Sequence, residues 1–267
     1  MLIGARNAML AGGGGSSEYW GLTFTAEQAD SSISLGTGAS IFIEYSLDGG
    51  RSWDSYTLGT TIPLADIGDS VCFAAADGVT NYSLYQSQFS MQGRIAATGD
   101  ISSLLRNDSA TASGLTLGYN CYERLFSGCT SLTHAPDLPA MSLSSRCYYA
   151  MFSNCTALTE APALPATELL SRCYANMFSS CEGLIYGPEL PASTLANDCY
   201  NQMFVFCQAL RTVKVAFNDW SPGSATRNWF VEASETGTFI CPAALGTNET
   251  ITRGTSNCPS GWTVVNT

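Results

Sequence analysis

The chain has 267 residues, room for one large domain or two of ordinary size. It is 45% hydrophobic and 12% charged with a formal net charge of −11, the composition of a folded, acidic protein. That balance argues against nucleic acid as a partner, because phosphate binding needs a basic face, and no apolar run is long enough to span a bilayer.

Residues 1–17 read as an anchor peptide and a linker. Leu2, Ile3, Met9 and Leu10 offer enough apolar surface to dock on a partner but too little to fold alone, and four glycines at 12–15 uncouple them from the rest of the chain. Arg6 sits in the middle of this segment, so it lacks the apolar stretch of about 7–15 residues that marks a secretory signal.

Residues 18–97 carry six short runs, WGLTFTA, SSISLG, ASIFIEYS, TTIPLA, DSVCFAAA and QSQFSMQG, which alternate or are rich in β-branched and aromatic residues. They predict a small antiparallel β-sandwich. Within it, SLDGGRSW (46–53) resembles the Asp-box of sialidase propellers. A single copy is a hairpin device in which Asp48 bonds turn amides and Gly49 and Gly50 supply positive φ. A propeller needs several blades, so the motif does not predict a glycosidase.

From 98 to 217 the chain repeats itself. Cysteines fall at 121 and 129, 147 and 155, 173 and 181, 199 and 207, each pair 26 residues after the last. Leu125, Met151, Met177 and Met203 keep the same step, each followed by Phe, as do Leu132, Leu158, Leu184 and Leu210. A period of this length marks a solenoid, whose units bury their apolar faces on one another. Within a unit, Leu143, Cys147, Met151 and Cys155 are spaced by four, with Tyr148 and Phe152 one residue beyond the middle pair. This spacing predicts one apolar stripe on a helix of roughly three turns. The proline-bearing TALTEAPALPA then predicts a very short strand and an extended, polyproline-like stretch. LRTVKVAF (210–217) has no proline and alternates, so it predicts a true strand that closes the stack.

C-x(7)-C does not match the close pairs of a zinc site. Helices packed about 8–10 Å apart hold equivalent cysteines too far apart to bridge. The cysteines therefore read as buried thiols that imply no oxidising compartment. Residues 218–267, with Trp220, Trp229, Trp262, Phe230, Phe239 and Val264, predict a cap on the open end of the solenoid, with a carbohydrate platform as the alternative. The predicted fold class is thus α+β: an antiparallel β-sandwich, then a short leucine-rich-repeat (strand/helix) solenoid with a C-terminal cap.

Chemistry-bearing patterns are few. The one histidine, His134, lies at a repeat position filled elsewhere by Glu160, Tyr186 and Thr212. No catalytic constellation, metal set or cofactor motif is predicted, and the chain reads as a non-enzyme. The candidate binding residues are those the repeat leaves free: His134, Glu160 and Tyr186 in one register, and Asp137, Ala163 and Glu189 in another, forming two columns on one face.

The phrase F-x-x-C-x-x-L, with proline-ended strands between copies, resembles the BspA-like leucine-rich repeats of surface proteins from gut bacteria (Bacteroides group) and of the phages that infect them. The resemblance covers 117–217. LTFTAEQADSSISL, EYSLDGGRSWDSY and SGWTVVN resemble segments that accompany such repeats. It implies a structural or adhesive role. Combined with the missing export signal, it leads to the expectation of a phage virion structural protein, a head- or tail-associated fibre or decoration protein. Residues 1–11 would anchor it to a capsid or neck/tail protein. It would assemble in the host cytoplasm as a homo-oligomer and display the repeat to a host surface glycan or protein. The alternatives are a bacterial cell-surface leucine-rich-repeat adhesin and a glycan-active enzyme or carbohydrate-binding module.

Overall fold

A computed structural model of the chain describes residues 21–36, 42–76, 87–105 and 117–267. The expected anchor residues Leu2, Ile3, Met9 and Leu10 lie outside the described residues.

The N-terminal runs form the strands that their alternation predicts. In β1 (Thr23–Ala26) and β2 (Ser31–Leu35) every second residue is buried, as a strand with one face on a core requires. They are followed by β3 (Ile43–Ser46), β4 (Asp54–Tyr56), β5 (Ile62–Leu64), β6 (Ser70–Ala75), β7 (Phe89–Gln92) and β8 (Ile95–Thr98). Two antiparallel arrays result, β4-β3-β6-β1-β8 and β5-β2-β7. Phe24 and Phe73 of the first meet Phe89 of the second, with ring centroids 4.8–5.8 Å apart. The β3–β4 connection is the Asp-box turn. Asp48 accepts from the amides of Arg51 and Ser52 at 2.9 Å, and Gly49 and Gly50 have φ of 71° and 86°. Those bonds, from the Ser52 amide first and then the Ser52 and Ser46 hydroxyls, hold the Asp48 carboxyl well below the usual carboxylate range.

The repeat is a solenoid, but not of helices. Among the described residues there is no α-helix, so the expected strand/helix repeat and the α+β class are corrected to a mostly β chain ending in a β-solenoid. The cysteine stretches 121–129, 147–155, 173–181 and 199–207 are chains of successive β-turns. Every second amide closes a turn: those of Tyr149, Met151, Ser153 and Cys155 donate to the carbonyls of Arg146, Tyr148, Ala150 and Phe152, three residues back. The amides between them leave the rung, those of Ala150, Phe152 and Asn154 reaching the carbonyls of Ala175, Met177 and Ser179 on the next one at 2.8–2.9 Å. Backbone donors are thus satisfied alternately within and between rungs, which is how a buried, non-helical segment avoids orphaned amides. The third residue of these turns has positive φ at Tyr122, Arg124, Tyr148, Ala150 and Asn176, between 50° and 60°, as a type II turn demands.

The difference from a helix is geometric. On a helix of 3.6 residues per turn, a strict spacing of four drifts by about 40° at each step, so Leu143 and Cys155 would not share a face. In a chain of turns that advances two residues at a time, residues four apart do share one. Cys147, Met151 and Cys155 are all fully buried.

Inside the stack, equivalent side chains form columns. Tyr122, Tyr148, Tyr174 and Tyr200 lie 5.6–6.0 Å apart with rings within 7° of parallel. Phe126, Phe152, Phe178 and Phe204 repeat at 5.3–6.0 Å, and Phe89 of β7 continues that column at 5.3 Å from Phe126. The N-terminal region therefore sits directly on the first rung: β9 (Leu132–His134) pairs in parallel with β8 and extends the first sheet. All eleven cysteines are buried and none is bridged. The thiols of Cys155, Cys181 and Cys207 donate to the carbonyls of Phe126, Phe152 and Phe178, one rung back, at 3.0–3.1 Å.

On the other side of the rungs, the proline-bearing segment 161–167 contains no strand, whereas its equivalent in the next rung forms one that includes Pro188. Regular pairing begins at β10 (Tyr186–Leu190) and runs through β11 (Thr212–Val215), β12 (Thr238–Cys241) and β13 (Thr263–Asn266) as a parallel sheet. LRTVKVAF thus yields the expected strand, but it does not close the stack. Residues 225–233 make a further rung, their carbonyls at Ala225, Arg227, Trp229 and Val231 accepting from Tyr200, Gln202, Phe204 and Phe206.

Candidate functional site

Each rung shows solvent two sides, one from the sheet and one from the turns. The predicted columns lie on the sheet side. Glu160 and Tyr186 are brought together as partners in a parallel bridge, and Tyr186 is followed across the sheet by Thr212, Thr238 and Thr263. Both are exposed. His134 pairs along β8 with Ala96, and its Nδ1 lies 3.7 Å from Glu27 Oε1. Asp137 bridges to Asp100, and Glu189 is held by Lys214 at 2.7 Å. The sheet side is therefore an exposed surface on which the nominated residues are spread out and partly paired with their neighbours.

The turn side carries a small concavity. Tyr149, Arg172, Ala175, Asn176, Asp198, Asn201, Gln202 and Arg227 line a groove of about 140 Å³. These residues come from consecutive rungs at three repeat positions, which read Asn120, Arg146, Arg172, Asp198, then Glu123, Tyr149, Ala175, Asn201, Arg227, and then Arg124, Ala150, Asn176, Gln202. Backbone pairing fixes the rung separation at about 5 Å, so side chains one period apart are forced into neighbouring positions. Asp198 is the groove's central acceptor: Arg172 Nε stands at 3.4 Å, Arg227 Nη2 at 3.8 Å and Asn201 Nδ2 at 3.3 Å. Both arginines remain more than half exposed, so these long contacts leave most guanidinium donors open to solvent. Asn176 donates to the Tyr149 hydroxyl at 3.4 Å.

Beside the groove, toward the first rung, Tyr149 also meets two arginines. Arg146 lies 4.6 Å and Arg124 5.9 Å from the Tyr149 ring centre. Arg146 Nη2 donates to Glu123 Oε1 at 3.0 Å, and this carboxylate holds the guanidinium above its ordinary range. Glu123 is only 7% exposed. Its Oε2, together with Arg146 Nε and Asn120 Oδ1, is buried without a hydrogen-bond partner among the described residues. An acceptor and a donor left unsatisfied side by side are unusual in a folded protein.

Below this face the buried groups are chemically quiet. Burial pushes the thiols of Cys129, Cys181 and Cys199 up to about 12, and the hydroxyls of Tyr148 and Tyr174 well above their ordinary range. These thiols are not nucleophiles near neutral pH. Among the described residues, no three His, Cys, Asp or Glu side chains are grouped to hold a metal ion, and no helix is long and apolar enough to cross a membrane.

The repeat pattern by itself does not single out the turn-side residues. Under a helical reading they fall on an undifferentiated polar face. The available signal was Asn, Asp and Gly recurring beside the apolar stripe, at Asn120, Gly128, Asn154, Asn176 and Asp198, all at positive φ here. No protein-family model, curated protein or solved structure matches the chain.

Proposed function

We propose that this chain is a non-catalytic adhesion and structural protein whose solenoid presents the turn-side groove to glycans. The observation that supports this reading is the groove itself: planar amide, guanidinium and carboxylate side chains from successive rungs, beside an aromatic ring, converge on one concavity. Sugar hydroxyls are recognised by such paired donors and acceptors, and a pyranose face packs on an aromatic ring. The fully packed interior suits a rigid support, because columns of stacked rings and buried thiols leave the outer side chains little freedom to rearrange.

The setting proposed is a phage particle, on the resemblance of the repeat to BspA-like surface proteins, with a bacterial cell surface as the alternative. Residues 1–11 are the proposed attachment to a capsid, neck or tail protein, and the body is proposed to be displayed as a homo-oligomer. The test has two arms. Mass spectrometry of purified virions should find the chain at structural copy number, and deleting residues 1–11 should leave a folded protein that no longer joins particles. A glycan array probed with the purified chain should give binding that Asn176→Ala with Asn201→Ala abolishes. Incorporation of the truncated protein at the normal level refutes the attachment; an array without signal refutes the adhesion.

A further inference from the structure

The ligand class can be narrowed, resting on the glycan-adhesion reading above. The chain carries 22 acidic and 11 basic side chains. Yet Arg124, Arg146, Arg172 and Arg227 all lie along the turn side, with only Glu123 and Asp198 among the carboxylates in contact with them. An acidic protein that gathers cations into one row creates a local positive field that its own net charge opposes elsewhere. The row also has a direction. It follows the solenoid axis, because its members come from the first, second, third and fifth rungs, with Asp198 at the fourth.

Two further features constrain the ligand. The rung spacing of about 5 Å is close to the advance of one pyranose in an extended polysaccharide, so a chain laid along the axis meets a repeat position at every sugar. Arg172 and Arg227, each held by only one long contact to Asp198, keep donors to accept further carboxylates in the planar geometry that guanidinium favours.

We infer that the turn side binds a linear acidic polysaccharide, a polyuronate, running parallel to the solenoid axis with one sugar per rung and its carboxylates on the arginine row. Isothermal titration of the full chain with polygalacturonate and alginate oligomers tests this, with fully methyl-esterified polygalacturonate as the neutral counterpart. Affinity for the acidic oligomers should rise with length until about five sugars span the row and should fall as salt is added. Arg172→Gln and Arg227→Gln, at exposed positions that leave the core intact, should each weaken binding by about tenfold, or 1.4 kcal/mol. Lys214→Gln removes the same charge from the sheet side and should change it by less than about twofold. Equal binding of the esterified oligomers overturns the acidic assignment and leaves glycan adhesion standing. An equal loss in Lys214→Gln overturns the placement on the turn side. Failure of acidic and esterified oligomers alike overturns the inference; whether glycan adhesion falls with it is decided by the array.

Discussion

The rung at 199–207 and the one after it, at 225–233, have the same backbone and different chemistry. The first carries Cys199, Met203, Phe204 and Cys207; the second carries Ala225, Trp229, Phe230 and Ala233. Both belong to the same ladder of turn-to-turn hydrogen bonds, and β11 pairs with β12 in an unbroken 26-residue step. The cysteines, the loudest signal in the sequence, are therefore not what makes the turn. Alternating local and rung-to-rung amide bonds make it, and the interior asks only to be filled. Where two thiols shrink to alanines, the indole of Trp229 takes the methionine position. It is fully buried, stacks on Tyr200 at 6.2 Å and donates to the Asn257 carbonyl at 2.8 Å.

This comparison can be broken most severely at the tryptophan. Trp229→Ala should cost about 3–5 kcal/mol in denaturant unfolding, because the truncation leaves a large cavity that Ala225 and Ala233 on the same rung are too small to fill. A loss under about 1 kcal/mol would show that the last rung is dispensable. In the cysteine rungs, Leu158→Ala, at a fully buried position, should cost about 2–5 kcal/mol; an unchanged melting midpoint would remove Leu158 from the stack. Cys181→Ala reproduces in a middle rung the change that Ala233 makes in the last. It removes a thiol–carbonyl bond of 3.0 Å and a small volume, and should cost about 1–2 kcal/mol.

The same thiol gives a pH signature. Its folded pKa is raised by burial from an ordinary 9.0 to about 12. Its contribution to stability is therefore fully present below pH 9 and lost as pH rises toward 12, at up to about 1.4 kcal/mol per pH unit. Unfolding measured from neutral to alkaline pH should fall more steeply for the wild-type chain than for Cys181→Ala; parallel curves would mean that the thiol titrates freely. The smallest effect is expected on the sheet side. Glu160→Ala with Tyr186→Ala should shift stability by no more than about 0.5 kcal/mol. Loss of host-cell binding in that variant, with polyuronate binding intact, would identify a second recognition surface.

Much of the architecture was legible before any coordinates. The 26-residue register of Cys121, Cys147, Cys173 and Cys199 announced stacked units, and the alternation in SSISL and TVKV announced strands, because burial on one face imposes a period that composition cannot hide. Adjacency of Glu160 and Tyr186 followed from the register alone. The C-terminal rung was hidden because the amino acids that carried the register had been replaced, although the step from Thr212 to Thr238 was kept.

Only the tertiary structure decided what each unit is. Neighbours among Leu143, Cys147, Met151 and Cys155 lie close together on a helix or on a chain of turns, but only the turns keep all four in one line. The choice depends on where the intervening amides find acceptors, and for Ala150, Phe152 and Asn154 those acceptors lie one rung away, outside any local window. The groove shares this origin. Arg172, Asp198 and Arg227 are up to 55 residues apart in the chain, and they meet because hydrogen bonds between rungs hold consecutive rungs at strand spacing.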